Sequence, residues 1–212
     1  MKCQLIDLGL IDFLDAYQFQ QQTVTQVLND ACGRLIFCEH PAVLTMGRIS
    51  DERFLLADPK TLRRQKIELV RVDRGGEVTF HGPGQMIVYP ILALQDSSRD
   101  LKIFLWKLEE VVIDLLRYFG IVANRQKGMT GVWVKEKKIA SIGIGVKKWV
   151  SYHGIGLNVN TDLSLFSLIK PCGLDVVMTS LAQELGRPVD PLKVKEQMLG
   201  SFKKEFQLEM VR

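Results

Sequence analysis

The run from Gly131 to Asn160, GVWVKEKKIASIGIGVKKWVSYHGIGLNVN, constrains this chain more than any other segment. Its apolar and aromatic stretches are interrupted by the polar turns KEKK and VKK, which reads as an antiparallel meander. A meander needs an antiparallel sheet and breaks the strict strand–helix alternation of a doubly wound parallel fold. Upstream, CQLIDL reads as a first strand and Ile11 to Asn29 as a Gln-rich helix, followed by the β-rich runs RLIFC and AVLTMG. IELVRV, EVTF and MIVYPI are short Val/Ile/Phe-rich runs bounded by Gly and Pro, and add strands joined by tight loops.

Two helices carry a clear period. Leu101, Phe104, Leu105, Leu108, Val111, Val112, Leu115 and Phe119 step by three or four along one face, and Gly120 closes the segment. Asp190-Pro191 supplies an N-cap and a first-turn proline for a last helix, with Val194, Met198, Phe202 and Phe206 on its buried stripe. No internal repeat and no Pro/Gly/Ser linker divides the chain, so residues 1–212 are expected to form one domain. The expected class is α/β in the α+β sense. Mixed, largely antiparallel sheets pack against helices, which are expected on one side.

With 47% hydrophobic and 25% charged residues, the composition is that of a folded globule and excludes disorder. The balance of 28 basic against 24 acidic residues leaves a net charge of +4. That is too mild for a nucleic-acid binder, though it suits an acidic macromolecular partner. The N-terminus carries acids where a signal peptide needs a basic head, and no run approaches the ~18 apolar residues of a membrane span. Cys3, Cys32, Cys38 and Cys172 show no CxxC spacing. A cytoplasmic protein with free thiols and no metal is therefore expected.

Three segments carry the chemistry. The first, RGGEVTFHGPGQ from Arg74 to Gln85, packs four glycines and two basic groups, Arg74 and His81, between two strands. Glycines let backbone approach a ligand closely, yet the segment matches neither a phosphate loop nor GxGxxG. The second joins Lys138, Ser141, Ile142 and Gly143 with the later His153, Gly154, Ile155 and Gly156. A lysine ending KEKK is ordinarily solvated, but one at the start of an apolar strand can point into a cleft. In the third, Pro171 and Gly173 hold Cys172 on a turn, where a thiol is either an ordinary turn residue or a nucleophile. Cys3, Cys32 and Cys38 sit in or beside apolar runs and read as inert buried thiols. His40 reads as structural, whereas His81 and His153 lie in Gly-rich loops open to a substrate.

Together these segments resemble the octanoyl-[acyl-carrier-protein]:protein N-octanoyltransferase family, also called lipoyl(octanoyl) transferases. The resemblance runs from EHPAVLTMGR through RGGEVTFHGPGQMIVYPI and KKIASIGIGVKKWVSYHGIGLNVNTDLSLF to KPCGL. It implies a fold like the catalytic domain of biotin and lipoate protein ligases. It implies transfer of an octanoyl group from octanoyl-acyl carrier protein to a specific lysine on lipoyl domains, those of 2-oxoacid dehydrogenases and the glycine cleavage H protein. Cys172 matches the acyl-thioester nucleophile and Lys138 the lysine that tunes it and shuttles protons. Arg74, Gly75, Gly76, Glu77, Val78, Thr79, Phe80 and His81 match walls that hold the acyl chain and its carbonyl. Ser141, Ile142, Gly143, Gly154, Ile155 and Gly156 match the rest of those walls. No cofactor and no ATP are implied, because the acyl group arrives already activated, and the expected unit is a monomer.

Overall fold

Two strands explain why so many runs are apolar without alternating. In Gly33–Glu39 (β2), Leu35 and Phe37 face one core while Ile36 and Cys38 face another. In Gln85–Ile91 (β6), Met86 and Val88 face the first core, and Ile87, Tyr89 and Ile91 the second. Strands buried on both faces need apolar side chains at every position. The computed structural model describes residues 1–94, 100–170 and 176–211, and the architecture below is that of these residues.

The chain begins with Lys2–Leu10 (β1) and the helix Phe13–Asp30 (α1), followed by β2 and Val43–Met46 (β3). Pro59–Arg64 (α2), Glu68–Arg71 (β4), Val78–His81 (β5) and β6 come next. Leu101–Tyr118 (α3) leads into Asn124–Gln126 (β7), Met129–Val134 (β8), Lys137–Lys147 (β9) and Val150–Asn158 (β10). Leu181–Leu185 (α4), Pro191–Phe206 (α5) and Glu209–Val211 (β11) complete it. The main sheet has eight strands in the order β11-β1-β2-β6-β10-β9-β8-β7, and β4-β3-β5 form a separate small sheet. β1 pairs in parallel with β2 and β11, while β2–β6, β6–β10, β10–β9, β9–β8 and β8–β7 are antiparallel. The sheets are thus mixed and largely antiparallel, as expected.

One expectation is corrected. The helices cover both faces of the main sheet. Phe104, Leu108, Val111, Val112 and Leu115 of α3 and Val194, Met198 and Phe202 of α5 pack on one face. Ala16, Val24 and Val27 of α1 pack on the other. The Asp100 carboxylate accepts the backbone N–H groups of Lys102 and Ile103 at the start of α3, and Asp190 accepts that of Leu192 before α5. These caps satisfy N–H groups that have no partner inside the helix. No helix among the described residues is long and apolar enough to cross a membrane.

Candidate active site

Between the small sheet and the centre of the main one lies a cavity of about 300 Å³. Arg74, Gly75, Gly76, Glu77, Val78, Thr79 and His81 line it from the β4–β5 side. Lys138, Ser141, Ile142 and Gly143 line it from β9, and His153, Gly154, Ile155 and Gly156 from β10. Two of the three segments singled out in the sequence therefore meet at one cavity. Phe80 does not join them. Its neighbours Thr79 and His81 line the cavity, whereas Phe80 is buried in the small sheet's core, edge-on to Phe166 at 5.3 Å. Cys172 lies outside the described residues.

The glycines set how closely the walls approach. Gly143 pairs with Gly154 across β9 and β10, and Ser141 pairs with Gly156. A Cβ at Gly143 would stand 2.9 Å from the Gly75 carbonyl oxygen and 3.2 Å from Arg74 Cδ. The Arg74 loop rests directly on this bare backbone, with the Gly75 N–H donating to the Ile144 carbonyl at 2.8 Å. Arg74 is fixed in turn by donation to the carbonyls of Thr45 and Glu77 and to Thr45 Oγ1.

Lys138 overturns the usual expectation for such a residue. It ends a charged turn, yet it is 1% exposed. Its backbone N–H donates to Val177 and its carbonyl accepts from Thr179, both at 2.9 Å. The ladder shifts register between Val132 and Trp133, so Trp133 opposes Lys138 while Val132 opposes Ala140. A bulge of this kind inserts one residue and re-aims the side chains that follow. It explains why Lys138 and Ser141, three positions apart, both reach the cavity. Gly131, at φ +129°, makes room for the stem, since a Cβ there would lie 2.5 Å from Lys138 Cε. The Gly131 N–H donates to the buried Glu109 carboxylate at 2.9 Å, and Arg125 holds the other Glu109 oxygen at 3.0 Å. Helix α3 thereby seats the part of β8 that accommodates Lys138. Glu109 was not singled out in the sequence, because an acid on the face of an amphipathic helix carries no signal of a partner 22 residues away.

A second polar cluster sits beside the cavity. Asp73 accepts hydrogen bonds from the hydroxyls of Tyr17 at 2.9 Å and Tyr152 at 2.6 Å, and from His153 Nε2 at 3.2 Å. The hydrogen bonds from His153, Tyr152 and Tyr17 hold its carboxyl well below the usual range, against the opposing effect of burial. His153 takes φ +55° inside β10, its N–H bonded to Gln20 Oε1 and its ring stacked on Tyr17 at 5.3 Å. His40 is structural, as expected. A carbonyl only accepts, so Nδ1 donates to Ile11 and Nε2 accepts from the Tyr89 hydroxyl at 2.7 Å. Cys3 and Cys38 are buried, and burial pushes the Cys3 thiol up to about 12. Cys32 departs from expectation, being only partly buried just before β2. No group of three or more His, Cys, Asp or Glu side chains suited to a metal occurs among the described residues.

All three histidines of the chain are pushed below their ordinary value, in each case chiefly by burial. For His81, repulsion from His40 and Arg74 adds to the effect. Such groups take up a proton at lower pH in the fold than in the unfolded chain, which protonates them from about pH 6.5 downward. Stability is then lost as pH falls, by at most about 1.4 kcal/mol per pH unit for each histidine. Melting temperature is expected to drop between about pH 7 and about pH 5, above the carboxylate range. A melting temperature constant over that interval would contradict the burial of neutral imidazoles.

The chain matches the family described as the lipoyl protein ligase A/B catalytic domain over residues 12–203. It is 41% identical to an octanoyltransferase of Thermoanaerobacter sp. (strain X514) over 208 residues, covering 97% of this chain and 90% of that one. In fold it superposes on a lipoate-protein ligase A bound with ATP at a TM-score of 0.85 with 16% identity, covering 100% of this chain and 90% of that one. The biotin protein ligase of Aquifex aeolicus follows at 0.53 with 15% identity, covering 98% and 70%. The expected likeness to the biotin and lipoate ligases therefore holds for the architecture. Identity over nearly the whole length is closer evidence than shared architecture, and it makes the protein an acyltransferase: the chain belongs to the octanoyltransferases, within the family of lipoyl protein ligase A/B catalytic domains.

Proposed function

We propose that this protein takes an octanoyl group from octanoyl-acyl carrier protein as a thioester on Cys172 and passes it to the ε-amino group of a lysine on a lipoyl domain. One observation carries the reading most. A lysine 1% exposed stands in the wall of a largely apolar cavity to which Gly75, Gly76, Gly143, Gly154 and Gly156 also contribute. The chemistry explains each part. Thioester exchange is nearly thermoneutral, so the first step needs a nucleophile and no ATP. A free thiol of pKa about 8.5 is only a few per cent thiolate near neutrality, so it benefits from a neighbouring base or cation. Val177, five residues beyond Cys172, accepts the Lys138 N–H, which ties the chain following the thiol to that lysine. Burying six methylenes of an octanoyl chain contributes about 5 kcal/mol at roughly 0.8 kcal/mol each. That anchors the acyl group while its carbonyl stays at the mouth.

The test is an intact mass after incubation with octanoyl-acyl carrier protein, without ATP. One octanoyl group is expected on the protein, and it should leave when a lipoyl domain is added. An unmodified mass would sink the covalent route, and a requirement for ATP would move the reading to a ligase.

A further inference from the structure

Glu77 is the sole acidic side chain among the described residues lining the cavity. Its backbone is held firmly, the carbonyl accepting from Arg74 Nη1 at 2.8 Å and from the Gly47 N–H at 3.3 Å. Its carboxylate is treated differently: Oε2 is shielded from solvent and has no hydrogen-bond partner among the described residues. Folded proteins leave few buried polar atoms unsatisfied, because a desolvated, unpaired oxygen costs more than a paired one gains. Glu77 immediately precedes β5 and lines the cavity together with Thr79 and His81. A carboxylate so placed is a ready receptor for a cation.

The proposed reaction brings one in. Its second substrate is an amine that is an ammonium ion near neutral pH. We infer that Glu77 receives this ammonium and holds it beside the acyl-enzyme, an inference that rests on the acyl-transfer reading above. The acceptor lysine gives one proton to Lys138, and its lone pair attacks the thioester carbonyl. The carbon–nitrogen bond forms, the carbon–sulfur bond breaks, and the sulfur leaves as thiolate. The nitrogen sheds its second proton to become an amide, and the thiolate regains one. Glu77 transfers nothing in this sequence. Its task is to bind the charged acceptor before the first proton leaves.

The experiment compares two nucleophiles on one preformed octanoyl-enzyme: a lipoyl domain, whose lysine is cationic, and hydroxylamine, which is uncharged near neutral pH. In Glu77→Gln, which keeps the shape and removes the charge, the lipoyl-domain reaction is expected to weaken roughly 10- to 100-fold more than the hydroxylamine reaction. That range is set by the loss of a hydrogen bond to a charged group. The effect should appear in the KM for the lipoyl domain, with Glu77→Asp recovering part of it. Equal losses toward both nucleophiles, or no loss toward either, would overturn the assignment. So would a Glu77→Gln protein that cannot be acylated, since Glu77 would then serve the donor step or the fold. If the native protein itself forms no octanoyl-enzyme, the acyl-transfer reading fails first, and that outcome is distinct from the others.

Discussion

A Cys172→Ser variant is expected to lose octanoyl transfer by at least about 10³-fold and to show no octanoyl adduct by mass. The reason is the population of the attacking species. A thiol near its ordinary pKa supplies a few per cent of thiolate at neutral pH, and a cation or base alongside raises that share. A serine hydroxyl supplies almost none, and the soft, polarisable sulfur is also the better nucleophile and the better leaving group. Both halves of the reaction should therefore fail together: the donor thioester is not attacked, and nothing is offered to the acceptor lysine. Cys172→Ala gives the sharper control. If the alanine protein still octanoylates a lipoyl domain at near the native rate, the acyl group travels directly between the substrates and Cys172 is a turn residue.

Lys138→Arg is expected to separate two roles that Lys138→Ala removes together. Arginine keeps a positive charge, but its pKa above about 12 prevents it from accepting a proton at accessible pH. Thiolate formation should survive in part, while uptake of the acceptor's proton should not. The octanoyl-enzyme is then expected to form and accumulate, with onward transfer slowed on the order of 10²- to 10⁴-fold, the usual contribution of a positioned acid–base group. The guanidinium is bulkier than an ammonium, and Lys138 runs against Gly131 with its nitrogen 5.4 Å from the centre of the Trp133 ring. Acylation itself should therefore slow, and the informative quantity is the ratio of the two rates within the one variant. Equal slowing of both steps would reduce Lys138 to an electrostatic neighbour of the thiol. Lys138→Ala is expected to depress both steps.

The strands and helices were legible because their signals are local. The meander from β8 to β10, the stripe of α3 and the Asp190-Pro191 start of α5 each depend on side chains a few positions apart. Partnership between strands was harder to read. EVTF and AVLTMG read as strands but carry no mark that they pair with each other in a second sheet. Nor do RLIFC and MIVYPI reveal that both faces are covered, since an apolar run is consistent with one buried face or two. The Arg74 and Lys138 segments were recognisable in the same way, from glycines and titratable groups clustered over a dozen residues.

What the sequence determined by itself was the inventory: which segments extend, which coil, and which short stretches hold reactive or glycine-rich backbone. Tertiary structure decided where each side chain points. Phe80 belongs to a substrate-wall motif yet turns into a core, because a strand sends alternate side chains to opposite faces and its cavity face was already taken by Thr79 and His81. Lys138 ends a run of charged residues yet is almost wholly buried, because a bulge re-aims it, Gly131 leaves it space and Glu109 holds Gly131 in place. Asp73 gathers Tyr17, Tyr152 and His153 from up to 80 residues away. Hydrogen bonds and burial of that kind depend on distance in space, which chain order does not encode.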